Sequence, residues 1–592
     1  MRFNSDMRLL RLLAAACLSL AFTAVAAAGT YEVAQNHPQA ADAGPGTPQQ
    51  PWKTLTKAVE TVRPGDVIII RSGVYRERVQ VKAGGTAEAP IRFEAAPGER
   101  VVVTGADRLI GWRKPDDTQP VYGVAWPHRF IGWNPTMTHP DNEYHQLIGR
   151  CEQVIVDGYL LRQVLNAGQL APGSFFVDVT NKTLLAWDIG SRDLNKVPVE
   201  ASVRQEVFRV EGDYVHVRGV HFRYAANMAQ HGAVVLAGRH NILEDCVIES
   251  MNSSGATFQG EDLVVRRCVF RDNGQLGFGA SRAHRLRVAD SLIENNNVKG
   301  FDRGWEAGAN KLVLCRDAVL ERSRFVRNRG TGIWFDIGNT NCTVRQCLIA
   351  DNDDAGIFYE ISYRLHAHDN VIIGNGFAAT AGAWGAQAGI SLSSSPGCII
   401  ERNLMAGNRE GFNFREQIRT TPTIEDREER PVWNHDQQIR HNLIVRNRDA
   451  QVWGWFDVKD SRHWPAHAQG ETSSAAVKPG DIAGAYAAKT NEGQPKGLTL
   501  EKLRLQFEGN VYFAAPGQGW VKWGPSWTRH KTYATLPEFQ SDLRIDTGSQ
   551  ARDPGFADML QLDYRLSAKS MAAVRECYPQ GPVPGVLLGV KP

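Results

Sequence analysis

The chain has 592 residues and a formal net charge of +3 at pH 7. It contains no long basic or acidic run, and this near-neutral balance argues against nucleic acid as a partner. Beyond residue 28 no stretch of 18 uninterrupted apolar residues occurs, so no membrane-spanning helix is predicted.

Residues 1–28 are typical of a secretory signal peptide. Arg2, Arg8 and Arg11 precede an apolar run that reaches Val25, and small residues then match an A-x-A type cleavage site. We therefore expect a soluble protein that is exported, either periplasmic or secreted. Cys17 raises lipid anchoring as an alternative, although alanine stands three residues earlier, where such signals usually have leucine.

Residues 29–106 are predicted to begin the fold. The segment "PWKTLTKAVETV" (51–62) has helical apolar spacing and is expected to form a short N-terminal capping helix. "GDVIIIRSGVYRERVQV" (65–81) then indicates the first strand pair. Residues 107–200 contain hairpin-like segments with Pro and Gly turns, such as "GSFFVDVTNKTLLAWDI", and predict an inserted β-sandwich module.

Residues 201–459 contain a repeat. Segments such as "LEDCVI", "VRRCVF", "VRQCLI" and "IERNLM" recur about every 23 residues, and some coils are enlarged by insertions. The fourth position of each segment is filled by a small or amide residue: Gly219, Cys246, Cys268, Ser291, Ser323, Cys347, Asn370, Asn403 and Asn442. Short strands at this period bury their apolar faces only by stacking, which predicts an all-β fold, a right-handed parallel β-helix, with successive coils ~4.8 Å apart.

The repeat also bears on the cysteines. Cys246 and Cys268 lie on adjacent coils, where a disulfide is geometrically conceivable. Because their position is occupied by small residues in every coil, we favour free buried thiols. Residues 460–500 are polar and predict a long loop or lid, and residues 501–592 are expected to form C-terminal coils and a cap.

Two neighbouring apolar strands each carry one carboxylate. Asp336 in "GIWFDIGN" and Glu360 in "GIFYEIS" both stand four residues after a glycine and are 24 residues apart, one coil. Strand alternation turns both side chains outward, and stacking places their carboxyl groups about 5 Å apart. At that distance their repulsion is roughly 3 kcal/mol at an effective dielectric near 20, a cost that brings no structural gain.

This repulsion predicts a division of roles. It raises the pKa of one acid, leaving one group protonated and one ionised, as glycoside cleavage requires. A separation of about 5 Å predicts the retaining route, with a covalent glycosyl-enzyme intermediate. A third acid, Glu306, lies one coil before Asp336 with the same strand parity. Asp336, in the centre, is the predicted nucleophile; the acid/base is Glu360 or Glu306, and we favour Glu360 for its clearer register.

Neighbours of the three acids are candidates for substrate contact: Trp305, Trp334, Asn339, Asn341, Tyr363 and Arg415. Strand parity places Trp334 on the Asp336 face, whereas packing is the alternative for Trp305. Asn339 and Asn341 could bind sugar hydroxyls, but asparagine in a β-helix turn more often caps the backbone.

The quoted segments, together with "EQVIVDGYLLRQVL", "GWEAG", "GIWFDIGNTN" and "GIFYEIS", resemble the β-helix proteins that include glycoside hydrolase family 120. The resemblance covers about residues 30–580. It implies a retaining β-xylosidase with a β-sandwich inserted in a β-helix. In that family a central aspartate is the nucleophile and a flanking glutamate the acid/base, which implies these roles for Asp336 and for Glu360 or Glu306.

Two other functions remain open. A polysaccharide lyase or uronate epimerase would need a Lys, Arg or His base and charge neutralisation by cationic side chains or calcium. Arg415, His231 and the acidic turn "ADNDDAG" (350–356) are its candidates, but no Arg or Lys shares the Asp336 register on the adjoining coils. A non-catalytic carbohydrate-binding solenoid has no use for stacked acids. An oligosaccharide or polysaccharide partner is expected, no cofactor or metal motif is recognised, and the oligomeric state is left open.

Overall fold

The computed structural model describes residues 28–132, 145–379, 386–416, 419–456, 503–525, 531–558, 563–566, 570, 572 and 574. Nearly all of the predicted signal peptide, including Cys17, and the predicted 460–500 loop lie outside the described residues. Within the described ranges, no helix combines the length and apolar character needed to cross a membrane.

Three long sheets of 13 strands each contain most of the described strand residues. The first sheet contains Thr30–Val33, Val67–Ile70, Ile91–Ala95, Val215–Arg218, Ile242–Glu244, Val264–Arg266, Arg287–Ala289, Val319–Glu321, Thr343–Arg345, His366–His368, Ile399–Glu401, Gln438–Arg440 and Gln506–Glu508. The second contains Gly73–Tyr75, Val101–Thr104, Val220–Arg223, Val247–Glu249, Val269–Arg271, Leu292–Glu294, Arg324–Val326, Leu348–Ala350, Val371–Ile373, Leu404–Ala406, Leu443–Val445, Val511–Phe513 and Gln550–Ala551. The third contains Val79–Val81, Phe208–Val210, Gly232–Leu236, Ser254–Glu261, Leu276–His284, Gly308–Val313, Ile333–Asp336, Ile357–Glu360, Ala388–Ser393, Glu410–Glu416, Ala450–Phe456, Val521–Pro525 and Lys531–Tyr533.

These sheets form one parallel β-helix, as the repeat predicts. Each coil contributes one strand to each sheet, and each strand pairs in parallel with its counterpart one coil later; Val265 lies opposite Val288, for example. Lys531–Tyr533 is antiparallel to its neighbour and ends the third sheet. Alternate side chains point inward and stack into a single apolar core that runs along the helix axis.

The turn between the second and third sheets contains a ladder of buried asparagines. Its members lie on successive coils: Asn273, Asn296, Asn328, Asn352, Asn375, Asn408 and Asn447. From Asn296 onward, each side-chain oxygen accepts hydrogen bonds from the backbone N–H and the side-chain amide of the asparagine one coil earlier, as between Asn352 and Asn328 at 3.1 and 2.9 Å. The ladder therefore satisfies turn groups that burial would otherwise leave unpaired.

The glycines before the third-sheet strands follow from this packing. A Cβ on Gly332 would lie 2.6 Å from the carbonyl oxygen of Gly356 and 2.8 Å from the amide of Asn352. A Cβ on Gly356 would lie equally close to the carbonyl of Gly389. Only glycine fits at this position, which explains why a glycine stands four residues before each of the two acids.

A second ladder runs through the turn between the first and second sheets, along the position identified in the repeat. The hydroxyl of Ser291 accepts from the backbone N–H of Cys268 at 3.1 Å, and Asn370 accepts in the same way from Cys347 at 3.0 Å. Cys246 and Cys268 are free and buried, which confirms the prediction of unpaired thiols.

The described residues between 106 and 202 form two four-stranded sheets. One contains Tyr159–Leu160, Val154–Val156, Val199–Ser202 and Ala106–Arg108. The other contains Arg162–Val164, Ser174–Asp178, Thr183–Trp187 and Tyr122–Ala125. A separate apolar core lies between them, including Phe175 and Trp126. Two further strand pairs are Arg419–Pro422 with Glu429–Val432, and Phe556–Asp558 with Asp563–Leu566.

Short helices complete the described structure. Leu55–Thr61 is capped by the Thr54 hydroxyl and buries Leu55 and Ala58 against the first coils, as predicted for the N-terminal cap. Leu536–Leu543 packs Phe539 against Trp523 near the other end. His145–Ile148 and the 3₁₀ turn Ala167–Gln169 belong to the inserted segment.

The asparagine ladder gives a stability prediction. Asn352→Ala removes the partner of the Asn328 backbone and side-chain amides and of the Phe325 carbonyl. Because unpaired buried polar groups cost about 1–3 kcal/mol each, we expect the free energy of unfolding to fall by about 3 kcal/mol. Thermal unfolding followed by circular dichroism measures this. Asn166→Ala is the control, because Asn166 is exposed and its side chain makes no capping hydrogen bond; its expected change is within about 0.5 kcal/mol. Equal effects of the two substitutions would contradict the role of the ladder.

Candidate active site

The strand register places Asp336 and Glu360 on adjacent coils. Trp334 lies opposite Phe358 and Phe335 opposite Tyr359, so the next pair in the same register is Asp336 and Glu360. Phe335 and Tyr359 point into the core. Alternation therefore directs the two carboxylates to the outer face, with backbones ~4.8 Å apart.

Lys311 links two of the three acids. Its Nζ lies 2.9 Å from Asp336 Oδ2 and 3.2 Å from Glu306 Oε1. The same ammonium lies 4.2 Å from the centroid of the Trp334 ring, at cation–π distance. Burial pulls the pKa of Lys311 down, but the two carboxylates outweigh burial and the pKa is raised. Lys311 is therefore a cation fixed between Asp336 and Glu306.

The second oxygen of Asp336 has a different environment. Oδ1 is buried and has no hydrogen-bond partner among the described residues. Since Lys311 holds Oδ2, the carboxylate is oriented through one oxygen while the other remains available. A buried polar atom without a partner is rare in folded proteins and is found where a ligand or reaction supplies the partner.

Glu360 is bound at both oxygens. Oε2 accepts a hydrogen bond from the Trp334 indole N–H at 3.2 Å, and Oε1 lies 2.9 Å from Arg419 Nη1. The side chain is only 3% exposed. Burial raises the pKa of Glu360, Asp336 raises it further, and Arg419 and Arg415 oppose the rise without cancelling it. Glu360 thus keeps its proton to a higher pH than an ordinary glutamate.

Arg419 reaches Glu360 from a hairpin that interrupts the repeat. The strands Arg419–Pro422 and Glu429–Val432 pair in antiparallel fashion outside the three long sheets. The hairpin packs against the turn that follows Asp336: a Cβ on Gly338, whose φ is +64°, would collide with the Pro422 carbonyl. The insertion is therefore held at the end of the Asp336 strand.

Glu306 comes from a loop rather than from a strand. It precedes Gly308–Val313 and has a positive φ of 61°. Its backbone carbonyl accepts from the Gln275 amide at 2.8 Å, and Arg303 in the same loop pairs with Asp354 at 3.0 Å. The Glu306 side chain is 26% exposed, the most accessible of the three acids.

The acidic turn that was considered for calcium instead helps to hold the loop that carries Glu306. Burial raises the pKa of Asp354 to about 6, against the opposing effect of Arg303. Among the residues with described positions, no three His, Cys, Asp or Glu side chains are grouped so that they could hold a metal ion. The turn residue Asp354 instead anchors the loop that carries Glu306.

The two tryptophans named from sequence have different roles. Trp334 is buried on the Asp336 face and contacts both Lys311 and Glu360, so its ring orients charged groups. Trp305 stacks on Phe301 at 6.4 Å, in an apolar cluster that includes Ile148 of the inserted segment. Trp305 therefore packs the Glu306 loop against its neighbours, the alternative considered from sequence.

Asn339 does not lie where a substrate contact would require. It is fully buried, and its amide donates to the carbonyls of Leu312 and Asp336 at 3.0 and 2.8 Å. Its oxygen accepts from the backbone N–H of Cys315. This burial contradicts the predicted contact with sugar hydroxyls, because the side chain caps backbone groups inside a turn.

The three remaining candidates for substrate contact, Asn341, Tyr363 and Arg415, differ in exposure and in position relative to the acids. Asn341 is exposed and accepts from Arg364 Nε at 2.6 Å. Tyr363 is half-buried, and its carbonyl accepts from the Tyr359 hydroxyl. Arg415 is buried in the Asp336–Glu360 column two coils after Glu360, and it lies near enough to affect the pKa of Glu360.

Two functional side chains were not identified from sequence. Lys311 shares the register of Trp334, one coil earlier, so its long side chain reaches Asp336 diagonally. The segment "GANKLVL" (308–314) contains a clue to this role, because Lys311 stands at an outward-facing position of the strand, between residues that face inward. Arg419 lies in an insertion without periodicity, and no sequence pattern connects it with Glu360.

Comparison with known proteins agrees with this architecture. Residues 206–404 match the family described as "Right handed beta helix region", and residues 39–82 match a protein family of unknown function, DUF1565. The structure of XylC in complex with xylose superposes with a TM-score of 0.64 at 19% identity, covering 89% of this chain and 87% of XylC. The chain is a right-handed parallel β-helix protein. Its fold resembles that of XylC, which confirms the expected fold.

Other relatives of this β-helix protein are more distant or match only a short segment. A mannuronic acid specific polysaccharide family 6 lyase from human gut microbiota has a TM-score of 0.46 at 10% identity, covering 95% of this chain and 98% of the lyase. The uncharacterized protein YwoF of Bacillus subtilis (strain 168) is 38% identical over 68 residues, 12% of this chain. That match spans only 14% of YwoF. At these identities the structural likenesses describe the fold.

The ion pairs of Lys311 give a pH-dependent stability prediction. In Lys311→Met the carboxylates of Asp336 and Glu306 lose the cation that lies between them. We expect a loss of about 3 kcal/mol of folding free energy at pH 8, where unpaired buried charge is most costly, and a smaller loss at pH 5. Thermal unfolding at pH 8 and pH 5 measures the difference.

Lys114→Met is the control. Lys114 is exposed and lies 5.7 Å from the centroid of the Tyr122 ring, so it has an aromatic contact as Lys311 does but does not lie between buried carboxylates. We expect a smaller loss with little change between the two pH values. A pH-independent loss in Lys311→Met would contradict the proposed charge pairing.

Proposed function

We propose that the protein is a glycoside hydrolase that uses a retaining, two-carboxylate mechanism. The observation that carries this proposal is the Asp336 carboxylate, held by Lys311 at Oδ2 while the buried Oδ1 has no partner in the described part of the chain. An oriented, desolvated anion of this kind suits attack on an anomeric carbon. Glu360, one coil away, supplies the proton.

In the first step Asp336 Oδ1 attacks the anomeric carbon while Glu360 transfers its proton to the glycosidic oxygen. The carbon–oxygen bond to the leaving group breaks, and a covalent bond to Asp336 forms. In the second step Glu360, now ionised, removes a proton from water, whose oxygen attacks the same carbon. The bond to Asp336 then breaks, and the sugar is released with its original anomeric configuration.

The surrounding groups support this assignment. The raised pKa of Glu360 suits a proton donor near neutral pH, and after proton transfer Arg419 and the Trp334 N–H stabilise the resulting anion. Glu306 is more exposed and is paired with Lys311, so we assign it a supporting role.

A lyase or epimerase mechanism fits these side chains less well. Such a reaction needs a base to remove a proton next to a uronate carboxyl group. Lys311, the cation at the centre of the site, has a raised pKa and holds its proton more tightly than a free lysine. Lys311 therefore suits the stabilisation of negative charge beside Asp336, and it is unsuited to the removal of a proton from a substrate.

The proposed substrate is a β-xyloside or related sugar in an oligosaccharide derived from a plant or microbial polysaccharide. The fold likeness to XylC, solved with xylose, and the resemblance noted from sequence support this choice. We propose that the enzyme acts after export, in the periplasm or outside the cell, because residues 1–28 match a secretory signal.

Kinetics and product analysis test the mechanism. We expect Asp336→Asn to lower kcat on aryl β-xylosides by about 10⁴-fold, the scale expected when a covalent nucleophile is removed. Proton NMR of the wild-type reaction should show the β-anomer as the first product. An α-anomer appearing first would contradict the retaining mechanism, and unsaturated products that persist in Asp336→Asn would indicate a lyase.

The acid/base role is tested by the leaving group. Glu360→Gln should lower kcat/KM by about 100-fold or more for alkyl or sugar leaving groups and far less for dinitrophenol, which needs no protonation. Wild-type kcat/KM should fall as the pH rises through the raised pKa of Glu360, and this alkaline limb should disappear in the variant. Glu306→Gln is the matched substitution; if it shows the leaving-group dependence instead, Glu306 is the acid/base.

A further inference from the structure

The outer face of the third sheet continues beyond Glu360 with uncharged polar side chains. Ser393 lies in register with Glu360, one coil later. In the neighbouring outward column, Ser391 follows Phe358, and Asn413 follows Ser391. Two successive coils thus present hydroxyl and amide groups directly beside the proposed proton donor.

Ser393 is the unusual member of this set. It is fully buried, and its hydroxyl oxygen has no hydrogen-bond partner among the described residues. The other two are partly engaged: the Ser391 hydroxyl lies 3.4 Å from Asn413 Oδ1, and the Asn413 amide donates to Glu410 at 2.7 Å. A carboxylate oxygen on Asp336, two coils earlier in the same column, is also buried without a partner among the described residues. Both atoms need a partner from outside the described protein.

The order of the acids along the axis defines a direction for the substrate. The anomeric carbon lies at Asp336, and the glycosidic oxygen must lie at Glu360, one coil towards the C-terminus. Because coils are ~4.8 Å apart, the group beyond that oxygen lies over the Ala388–Ser393 and Glu410–Glu416 strands. The sugar that forms the covalent intermediate extends the other way, towards Lys311.

The charges indicate the chemical class of the leaving group. Lys311 is paired with Asp336 and Glu306, and Arg419 is paired with Glu360. Ser391, Ser393 and Asn413, which face the next position, carry no charge. Arg415, one coil after Ser393 in the same column, is buried, and its charge acts on Glu360. Burial raises the pKa of Glu410, the partner of Asn413, to about 7, so this group is partly neutral at physiological pH.

From these observations we infer that Ser393, with Ser391 and Asn413, forms the subsite for the leaving-group sugar, and that this sugar is uncharged. The inference rests on the proposed hydrolase function. Ser393 is assigned as a hydrogen-bond donor to a hydroxyl of that sugar, and therefore as a specificity residue for oligosaccharides.

The test compares two substrates that share the cleaved sugar. Wild-type and Ser393→Ala enzymes are assayed with xylobiose, whose leaving group is a sugar, and with dinitrophenyl β-xyloside. We expect the ratio of kcat/KM for xylobiose to kcat/KM for the aryl substrate to fall about 5-fold in Ser393→Ala, the equivalent of one hydrogen bond. A misfolded fraction lowers both rates equally, so the ratio reports only on the subsite.

Ser281→Ala is the matched control. Ser281 belongs to the same outward column but lies on the other side of Asp336, beyond Val313. Its ratio should match that of wild-type enzyme. An unchanged ratio in Ser393→Ala, or an equal fall in Ser281→Ala, would overturn the subsite assignment while leaving the hydrolase function intact.

Two further outcomes are decisive. A preference of about 10-fold or more for a uronate over a neutral leaving-group sugar would overturn the uncharged class and point to Arg415, the next residue in the column. A wild-type enzyme inactive on every aryl glycoside and oligosaccharide tested would overturn the proposed function, and the subsite assignment with it.

Discussion

The structure depends on the exact vertical register of its coils, and buried hydrogen bonds in the turns maintain that register. Asn352, for example, accepts from the coil before it and donates to the coil after it, so a slip of one residue would leave several buried groups unpaired. Because the interior is locked in this way, side chains on the outer face form straight columns. The proximity of Asp336 and Glu360 follows from this register.

Within that frame the site balances burial against charge pairing. Three carboxylates on neighbouring coils would be unfavourable if they stood alone, since each is partly withdrawn from water. Lys311 and Arg419 compensate in different ways: Lys311 is shared between two acids, whereas Arg419 opposes but does not abolish the rise in the pKa of Glu360. Trp334 contacts both halves of the arrangement, through its ring face and through its indole N–H.

Much of this arrangement could be predicted from sequence because a β-helix converts periodicity directly into position. The repeat located the coils, and glycine spacing aligned Asp336 with Glu360. Lys311 was missed because its side chain crosses between columns, a diagonal contact that register alone does not reveal. Arg419 was missed because its hairpin has no repeat to align it. For Asn339 the sequence left substrate contact and backbone capping open, because an asparagine in a turn can face inward as readily as outward.

The hairpin that carries Arg419 has a wider consequence. It is attached to the helix between two coils and contributes to none of the three long sheets, yet it supplies the cation that opposes the rise in the pKa of the proposed proton donor. The strands that build the β-helix and the residue that tunes the pKa of Glu360 therefore belong to separate segments of the chain. Exchange of this one insertion would change the working pH of the proposed hydrolase while leaving the strands of the three long sheets unchanged.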